Sequence, residues 1–218
     1  MRRPRIKICC IADADEARLA IEAGADALGL VSAMPSGPGC IDEAVIGAIA
    51  RTVPPPVATF LLTCRDRVEA IVAQHATCAT SVIQLVDHVP ADDLRRLRVA
   101  LPAVRLVQVI HVVDEAAVDE ALAAAPLVDA LLLDSGNPRL AVKELGGTGR
   151  THDWRLSRRI REQAGRPVFL AGGLHAGNVA EAIAEVGPFG LDLCSGVRSA
   201  GCLDPDKLAA FFAALPPA

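Results

Sequence analysis

Short apolar runs alternate with amphipathic stretches along almost the whole chain. The runs are rich in Val, Ile and Leu and predict strands over residues 5–10, 26–31, 57–62, 81–86, 104–112, 128–134, 167–171 and 190–195. The stretches between them carry apolar residues at helical spacing and predict helices over 13–24, 42–51, 66–75, 91–100, 114–124, 153–164, 176–186 and 204–213. A long glycine-containing loop is expected at 135–152.

This strict alternation of strands and helices predicts an α/β fold. Val/Ile/Leu-rich strands separated by helices are typical of a parallel sheet whose faces are covered. Eight such units favour a single-domain (β/α)8 TIM barrel over residues 1–218. A doubly wound open sheet is the alternative, although it rarely reaches eight repeats.

The alternation of side chains along the strands predicts which residues face the barrel interior. In the first strand, Lys7 and Cys9 are expected to point inward, while Cys10 shares the outer, apolar face. In the sixth and eighth strands, Asp134 and Asp192 are expected to point inward. Cys9 and Asp134 therefore converge on one barrel mouth, whereas Asp192 is expected to be structural and to bond either Lys7 or a loop N–H across the barrel interior.

Composition and charge narrow the function classes. Aromatic residues make up only 3% of the chain and the formal net charge is -4, which argues against a nucleic-acid-binding surface. The chain has no apolar run long enough to span a membrane, and its seven cysteines form no CxxC pair. We therefore expect no membrane association, no disulfide framework, no zinc and a cytoplasmic, reducing location.

Glycines recur in the loops after the last three predicted strands. Gly147 and Gly149 follow strand six, Gly172 and Gly173 follow strand seven, and the pair Ser195-Gly196 follows strand eight. Backbone N–H groups in such loops often bind phosphate in barrels of this type. The alternative is that these glycines only form turns.

Several motifs, in order along the chain, resemble the phosphoribosylanthranilate isomerase family of tryptophan-pathway barrels. They are Lys7-Ile8-Cys9, Gln84-Leu85, Leu132-Leu133-Asp134-Ser135, Gly146-Gly147-Thr148-Gly149 with Asp153-Trp154, Leu170-Ala171-Gly172-Gly173-Leu174 with Asn178-Val179, and Asp192 with Ser195-Gly196-Val197. The resemblance implies a barrel isomerase that converts an N-linked phosphoribosyl amine to a 1-deoxyribulose phosphate by an Amadori rearrangement.

The resemblance also implies roles for residues. Cys9 is expected to be the general base and Asp134 the general acid. The residues expected to bind substrate or its phosphate are Lys7, Gln84, Gly147, Gly149, Gly172, Gly173, Ser195, Gly196 and Arg198. No cofactor or metal is expected, the partner is a small phosphorylated substrate, and the protein is expected to be a monomer or homodimer.

The chain departs from the family pattern at the side where the anthranilate group is expected. Cys10 replaces a Gly, the 32–41 loop lacks the usual Arg, and Arg198 stands where a Glu is expected. Arg198 is therefore a candidate replacement cation. These departures leave two alternatives open: a related barrel isomerase with another phosphorylated aldosylamine or sugar as substrate, and a catalytically silent barrel that binds a phosphorylated metabolite.

Overall fold

The computed structural model describes residues 3–216 and is a closed barrel of eight parallel strands, paired in sequence order with β1 against β8. This confirms the predicted (β/α)8 fold. The strands are Arg5–Ile8 (β1), Ala27–Val31 (β2), Ala58–Thr63 (β3), Val82–Leu85 (β4), Arg105–His111 (β5), Ala130–Asp134 (β6), Val168–Leu170 (β7) and Gly190–Leu193 (β8). The helices are Ala14–Glu22 (α1), Glu43–Thr52 (α2), Val68–Cys78 (α3), Ala91–Ala100 (α4), Ala116–Ala124 (α5), Trp154–Gln163 (α6), Val179–Val186 (α7) and Pro205–Ala213 (α8).

Side chains divide into two apolar layers, as strand alternation requires. The outward layer packs between strands and helices and includes Ile6, Ile8 and Leu131, each fully buried. The inward layer fills the barrel and includes Phe60 and Leu132. Two layers of this kind hold the ends of the strands rigidly, so that residues just beyond them are placed accurately at the barrel mouth.

Some predicted boundaries were wrong. The strand predicted over residues 5–10 ends at Ile8, because Cys10 has a left-handed backbone with φ of 63° that cannot continue a strand. Helix α3 runs past the predicted end to Cys78 and stops where Ala79 turns left-handed. A small antiparallel hairpin, Arg198–Ser199 (β9) with Cys202–Leu203 (β10), was not predicted because two-residue strands carry no periodicity.

Candidate active site

One open cavity lies at the barrel mouth formed by the carboxyl ends of the strands. Active sites of (β/α)8 enzymes lie at this end of the barrel. The predicted site residues that line the cavity are Cys9, Gln84, Asp134, Gly147, Gly149, Gly172, Gly173 and Ser195. Lys7, Gly196 and Arg198 lie outside its wall.

Asp134 is the last residue of β6, and its side chain is only 8% exposed as it enters the cavity. Its Oδ1 accepts a hydrogen bond from the Ser135 backbone N–H at 2.7 Å. Its Oδ2 faces Gly146, where a Cβ atom would come within 2.6 Å of that oxygen. The loop after β6 can therefore pass over the carboxyl group only because residue 146 is a glycine. The Asp134 Oδ1 is held by a hydrogen bond, while its Oδ2 faces the loop.

Cys9 follows β1 directly, and its N–H donates to the Leu193 carbonyl at 2.7 Å. This bond extends the β1–β8 pairing by one residue and turns the thiol inward, as predicted. Beside it, Gly29 of β2 leaves no room for a side chain. A Cβ atom there would lie 2.8 Å from the Cys9 Sγ and 3.0 Å from the Lys7 Nζ, so the thiol and the ammonium group approach the same point.

Lys7 is completely buried and lies below the cavity wall, so the predicted contact with substrate stays a prediction. Its Nζ donates to the Asp192 Oδ2 at 2.8 Å, which is one of the two structural pairings expected for Asp192. Burial alone would lower the pKa of Lys7, but the negative charge of Asp192, followed by that of Cys9, more than offsets it and raises the pKa. Lys7 is therefore a permanently charged cation beneath the thiol.

Gln84 of β4 is 3% exposed and reaches the cavity wall. Its buried Oε1 has no hydrogen-bond partner within the described part of the chain. A buried amide oxygen without a partner costs about 1–3 kcal/mol.

The glycines of the last three loops are needed where backbone segments press together. Gly172 and Gly173 both have left-handed backbones, and a Cβ at Gly173 would come within 2.8 Å of the Arg150 backbone. Gly147 packs against the ring of Pro38, closing the gap between the loops after β2 and β6. At Gly196, a Cβ would lie 2.0 Å from the Leu174 carbonyl oxygen. These contacts explain the glycines by loop packing, whichever ligand the loops also hold.

Arg198 is not among the residues that line the cavity, and its predicted contact with substrate stays a prediction. Its two terminal nitrogens form a bidentate ion pair with Glu16 of α1 at 2.9 and 2.8 Å. Its Nη2 also donates to the carbonyl oxygens of Cys9 at 3.3 Å and Cys10 at 2.5 Å. The guanidinium therefore holds the turn that carries Cys9 from behind.

Two thiols that the sequence reasoning left without a role lie beside Cys9. Cys10 was expected to face the helices, but its left-handed backbone turns the side chain to the cavity, where its Sγ lies 2.9 Å from the Cys194 Sγ. Strand alternation placed Cys194 inward correctly. The signal for Cys10 was the glycine expected at that position, because glycine is favoured where φ is positive.

The described wall of the cavity carries acidic but no basic side chains. Among the described residues that line it, the ionisable carboxyl groups are Asp134 and Asp192, and none of the lining residues is Lys, Arg or His.

Within residues 3–216, no group of three or more His, Cys, Asp or Glu side chains is arranged to hold a metal ion. Every helix in this part of the chain is too short or too polar to cross a membrane.

Comparisons with known proteins agree on one family. The sequence profile of the N-(5'phosphoribosyl)anthranilate (PRA) isomerase family matches residues 6–214. The N-(5'-phosphoribosyl)anthranilate isomerase 2 of Methanosarcina mazei is 37% identical over 210 residues, covering 95% of this chain and 92% of that protein. The N-(5'-phosphoribosyl)anthranilate isomerase of Methanocella arvoryzae is 34% identical over 195 residues, covering 89% of each.

Solved structures show the same relationship. Phosphoribosyl anthranilate isomerase from Thermotoga maritima superposes with a TM-score of 0.82 at 29% identity, covering 95% of this chain and 96% of that one. Another phosphoribosyl anthranilate isomerase has a TM-score of 0.79 at 27% identity, with 96% of each chain covered. That enzyme was solved in complex with reduced 1-(o-carboxyphenylamino)-1-deoxyribulose 5-phosphate.

Proposed function

Because this chain belongs to the N-(5'-phosphoribosyl)anthranilate isomerase family, we propose that Cys9 and Asp134 carry out the acid–base chemistry of that isomerisation. The reaction converts N-(5-phosphoribosyl)anthranilate to 1-(o-carboxyphenylamino)-1-deoxyribulose 5-phosphate. It is an internal oxidation and reduction of one sugar, the aldose–ketose class, and it is driven by proton transfers to and from the sugar. The observation that carries the proposal is the presence of both residues on the wall of one cavity at the catalytic end of the barrel.

Asp134 is the proposed general acid. Its proton passes to the ring oxygen of the ribose, the bond from that oxygen to C1′ breaks, and the amine nitrogen supplies electrons to form an iminium ion. One carboxyl oxygen is fixed by the Ser135 N–H, which leaves the other free to present the proton. A positioned acid of this kind contributes about 10²–10⁴-fold to the rate.

Cys9 is the proposed general base. Its thiolate removes the proton from C2′ of the iminium, giving an enolamine that tautomerises to the ketone. Only the thiolate can accept this proton. The buried ammonium of Lys7 lies beside the sulfur, and Cys9 contributes to the raised pKa of Lys7, so a negative sulfur and this cation attract each other. Lys7 therefore acts through Cys9 and is a positioning residue.

The substrate phosphate is proposed to bind backbone N–H groups of the loops after β7 and β8, around Gly173 and Ser195. Both residues line the cavity, and the described lining offers no cationic side chain. Backbone N–H groups can bind anions without one, since several converging dipoles supply the positive potential. The anthranilate carboxylate is proposed to bind backbone N–H groups in the same way, at the loop after β2. This loop lines the cavity with Met34, Ser36 and Pro38.

The test is the loss of fluorescence of freshly made phosphoribosylanthranilate. We expect the wild-type protein to accelerate it, and Cys9→Ser and Asp134→Asn each to reduce kcat by at least about a hundredfold. Cys202→Ser is the matched control, because Cys202 is an exposed thiol on β10. The proposal fails if either variant folds with the wild-type melting temperature and retains near-wild-type turnover.

A further inference from the structure

The thiols of Cys10 and Cys194 form a close pair at the end of the barrel that the proposed isomerisation does not use. Their sulfur atoms are 2.9 Å apart and share a hydrogen bond. Cys194 is half-buried on the wall of the open cavity, whereas Cys10 is 5% exposed. A molecule that enters the cavity therefore reaches Cys194 first.

The barrel itself sets this proximity. β1 and β8 are paired in register, with Ile8 opposite Leu193, so the residues that follow each strand are neighbours. Cys10 is then held in a left-handed turn with its carbonyl bonded to Arg198. Gly39 covers it from the other side, where a Cβ atom would lie 2.5 Å from the Cys10 Cβ. The Cys10 side chain is thus confined against Cys194.

We propose that Cys194 and Cys10 are a reactive and a resolving cysteine, and that hydrogen peroxide converts them to an intramolecular disulfide that a dithiol reduces again. The two sulfurs must approach by about 0.9 Å to reach the bonded distance of about 2.05 Å. The proposal does not depend on the isomerase activity.

The reaction balances with the peroxide as the only oxidant. Cys194 first loses its proton, and its thiolate then attacks one oxygen of hydrogen peroxide. An S–O bond forms as the O–O bond breaks, and the departing hydroxide combines with the proton released by Cys194 to become water. The Cys10 sulfur then attacks the sulfenic sulfur of Cys194. The S–S bond forms as the S–O bond breaks, and the second hydroxide leaves as water with the Cys10 proton. Two thiols lose two electrons in total, and one peroxide becomes two waters.

The electrostatic surroundings assign the two roles. The hydrogen bond with Cys10 lowers the pKa of the Cys194 thiol; burial opposes this, and the positive charge of Arg198 adds to it. The same hydrogen bond, with Cys9 and burial, raises the pKa of Cys10. Since the thiolate is the nucleophile, Cys194 reacts with peroxide and Cys10 resolves the product. Without Cys10, the sulfenic acid would remain open to further oxidation.

Peptide mapping of the full-length protein after hydrogen peroxide treatment tests this. Trypsin cuts after Lys7 and Arg18, and after Arg161 and Arg198, whereas Arg166 is protected by the following proline. We expect the peptide 8–18 to be joined to the peptide 162–198, and dithiothreitol to separate them. Because 8–18 contains both Cys9 and Cys10, Cys9→Ser must keep the cross-link and Cys10→Ser must lose it. The control Cys202→Ser must keep it.

In Cys10→Ser, the fraction of Cys194 carrying two added oxygens should rise at least about tenfold over wild type, since no resolving thiol remains. Three results would overturn the proposal: a wild-type map with Cys194 free or over-oxidised and no cross-link, a cross-link that survives Cys10→Ser, or a bond between Cys9 and Cys10 within peptide 8–18. The wild-type map and Cys9→Ser decide the matter even if Cys10→Ser does not fold.

Discussion

Replacing Lys7 by Met removes one partner of the buried ion pair below the cavity. The Lys7 side chain is 0% exposed and the Asp192 side chain 7%, with 2.8 Å between the Nζ and Oδ2 atoms. At an effective dielectric constant of about 20, charges at this distance attract by about 6 kcal/mol. Desolvation cancels part of that attraction in the intact pair, but a single substitution leaves the Asp192 charge buried and unpaired. We therefore expect Lys7→Met to lower the free energy of unfolding by about 3–5 kcal/mol.

A double-mutant cycle tests this expectation by adding a second substitution, Asp192→Asn, which removes the unpaired charge. If the loss in Lys7→Met comes from that charge, the double variant should regain most of the stability, with a coupling energy of at least about 2 kcal/mol. Urea unfolding of wild type, both single variants and the double variant measures it. Burial raises the pKa of Asp192, so the unpaired carboxyl takes up a proton as the pH falls. The deficit of Lys7→Met should therefore shrink at lower pH.

Activity separates the structural role of Lys7 from its effect on Cys9. In the folded double variant we expect kcat to remain at least about tenfold below wild type, because no cation then lies beside Cys9, the proposed base. Wild-type kcat in that variant would limit Lys7 to a structural role. The reasoning about the buried pair would be refuted by a stability loss below about 1 kcal/mol in Lys7→Met. It would also be refuted if the free-energy changes of the two single substitutions simply added in the double variant.

Three further predictions follow from single observations. Gly29→Ala should lower kcat at least about tenfold, because the new Cβ would lie 2.8 Å from the Cys9 Sγ and push the thiol away. The control is Gly177→Ala, whose new Cβ would contact only the His175 ring. Equal effects of the two substitutions on kcat would contradict the prediction. Burial lowers the pKa of His152 from 6.5 to about 4. The unfolded chain therefore binds a proton between these values that the folded protein does not, and stability falls as pH drops through that window. Between pH 7 and about pH 4.5, the free energy of unfolding of His152→Gln should fall by about 2–3 kcal/mol less than that of wild type, as measured by urea unfolding. Equal losses in the two proteins would refute this prediction. In crystals grown from sulfate, an anion should bind the N–H groups of Gly173 and Ser195; ordered loops without one would exclude this phosphate site.

Strand alternation was sufficient to predict the positions of Cys9, Asp134 and Asp192. It works because each of these residues lies within a strand or one residue beyond it, where the pleat of the barrel still fixes the direction of the side chain. The same rule left Lys7 and a loop N–H as possible partners of Asp192, and the structure shows the pairing with Lys7. These parts of the site depend only on the regular portion of the fold.

The same rule failed two residues past the end of β1. Cys10 lies where the backbone is left-handed, so its side chain no longer follows the alternation of the strand. Arg198 could not be placed from its sequence position either, because its partner Glu16 belongs to the first helix, 182 residues away. Long-range polar pairs of this kind leave no periodic signal in a single sequence.

The departures at positions 10 and 198 belong to one arrangement. A non-glycine residue in a left-handed turn costs about 1–2 kcal/mol. At Cys10 this strain is opposed by the Arg198 guanidinium, which binds the Cys10 carbonyl and the Glu16 carboxylate at once. The glutamate that the family pattern predicts at position 198 could donate to neither group and would repel Glu16. Arg198, whose sequence position made it a candidate replacement cation, thus stabilises the turn that presents Cys9. The same side chain accommodates the substitution of Cys for Gly at position 10.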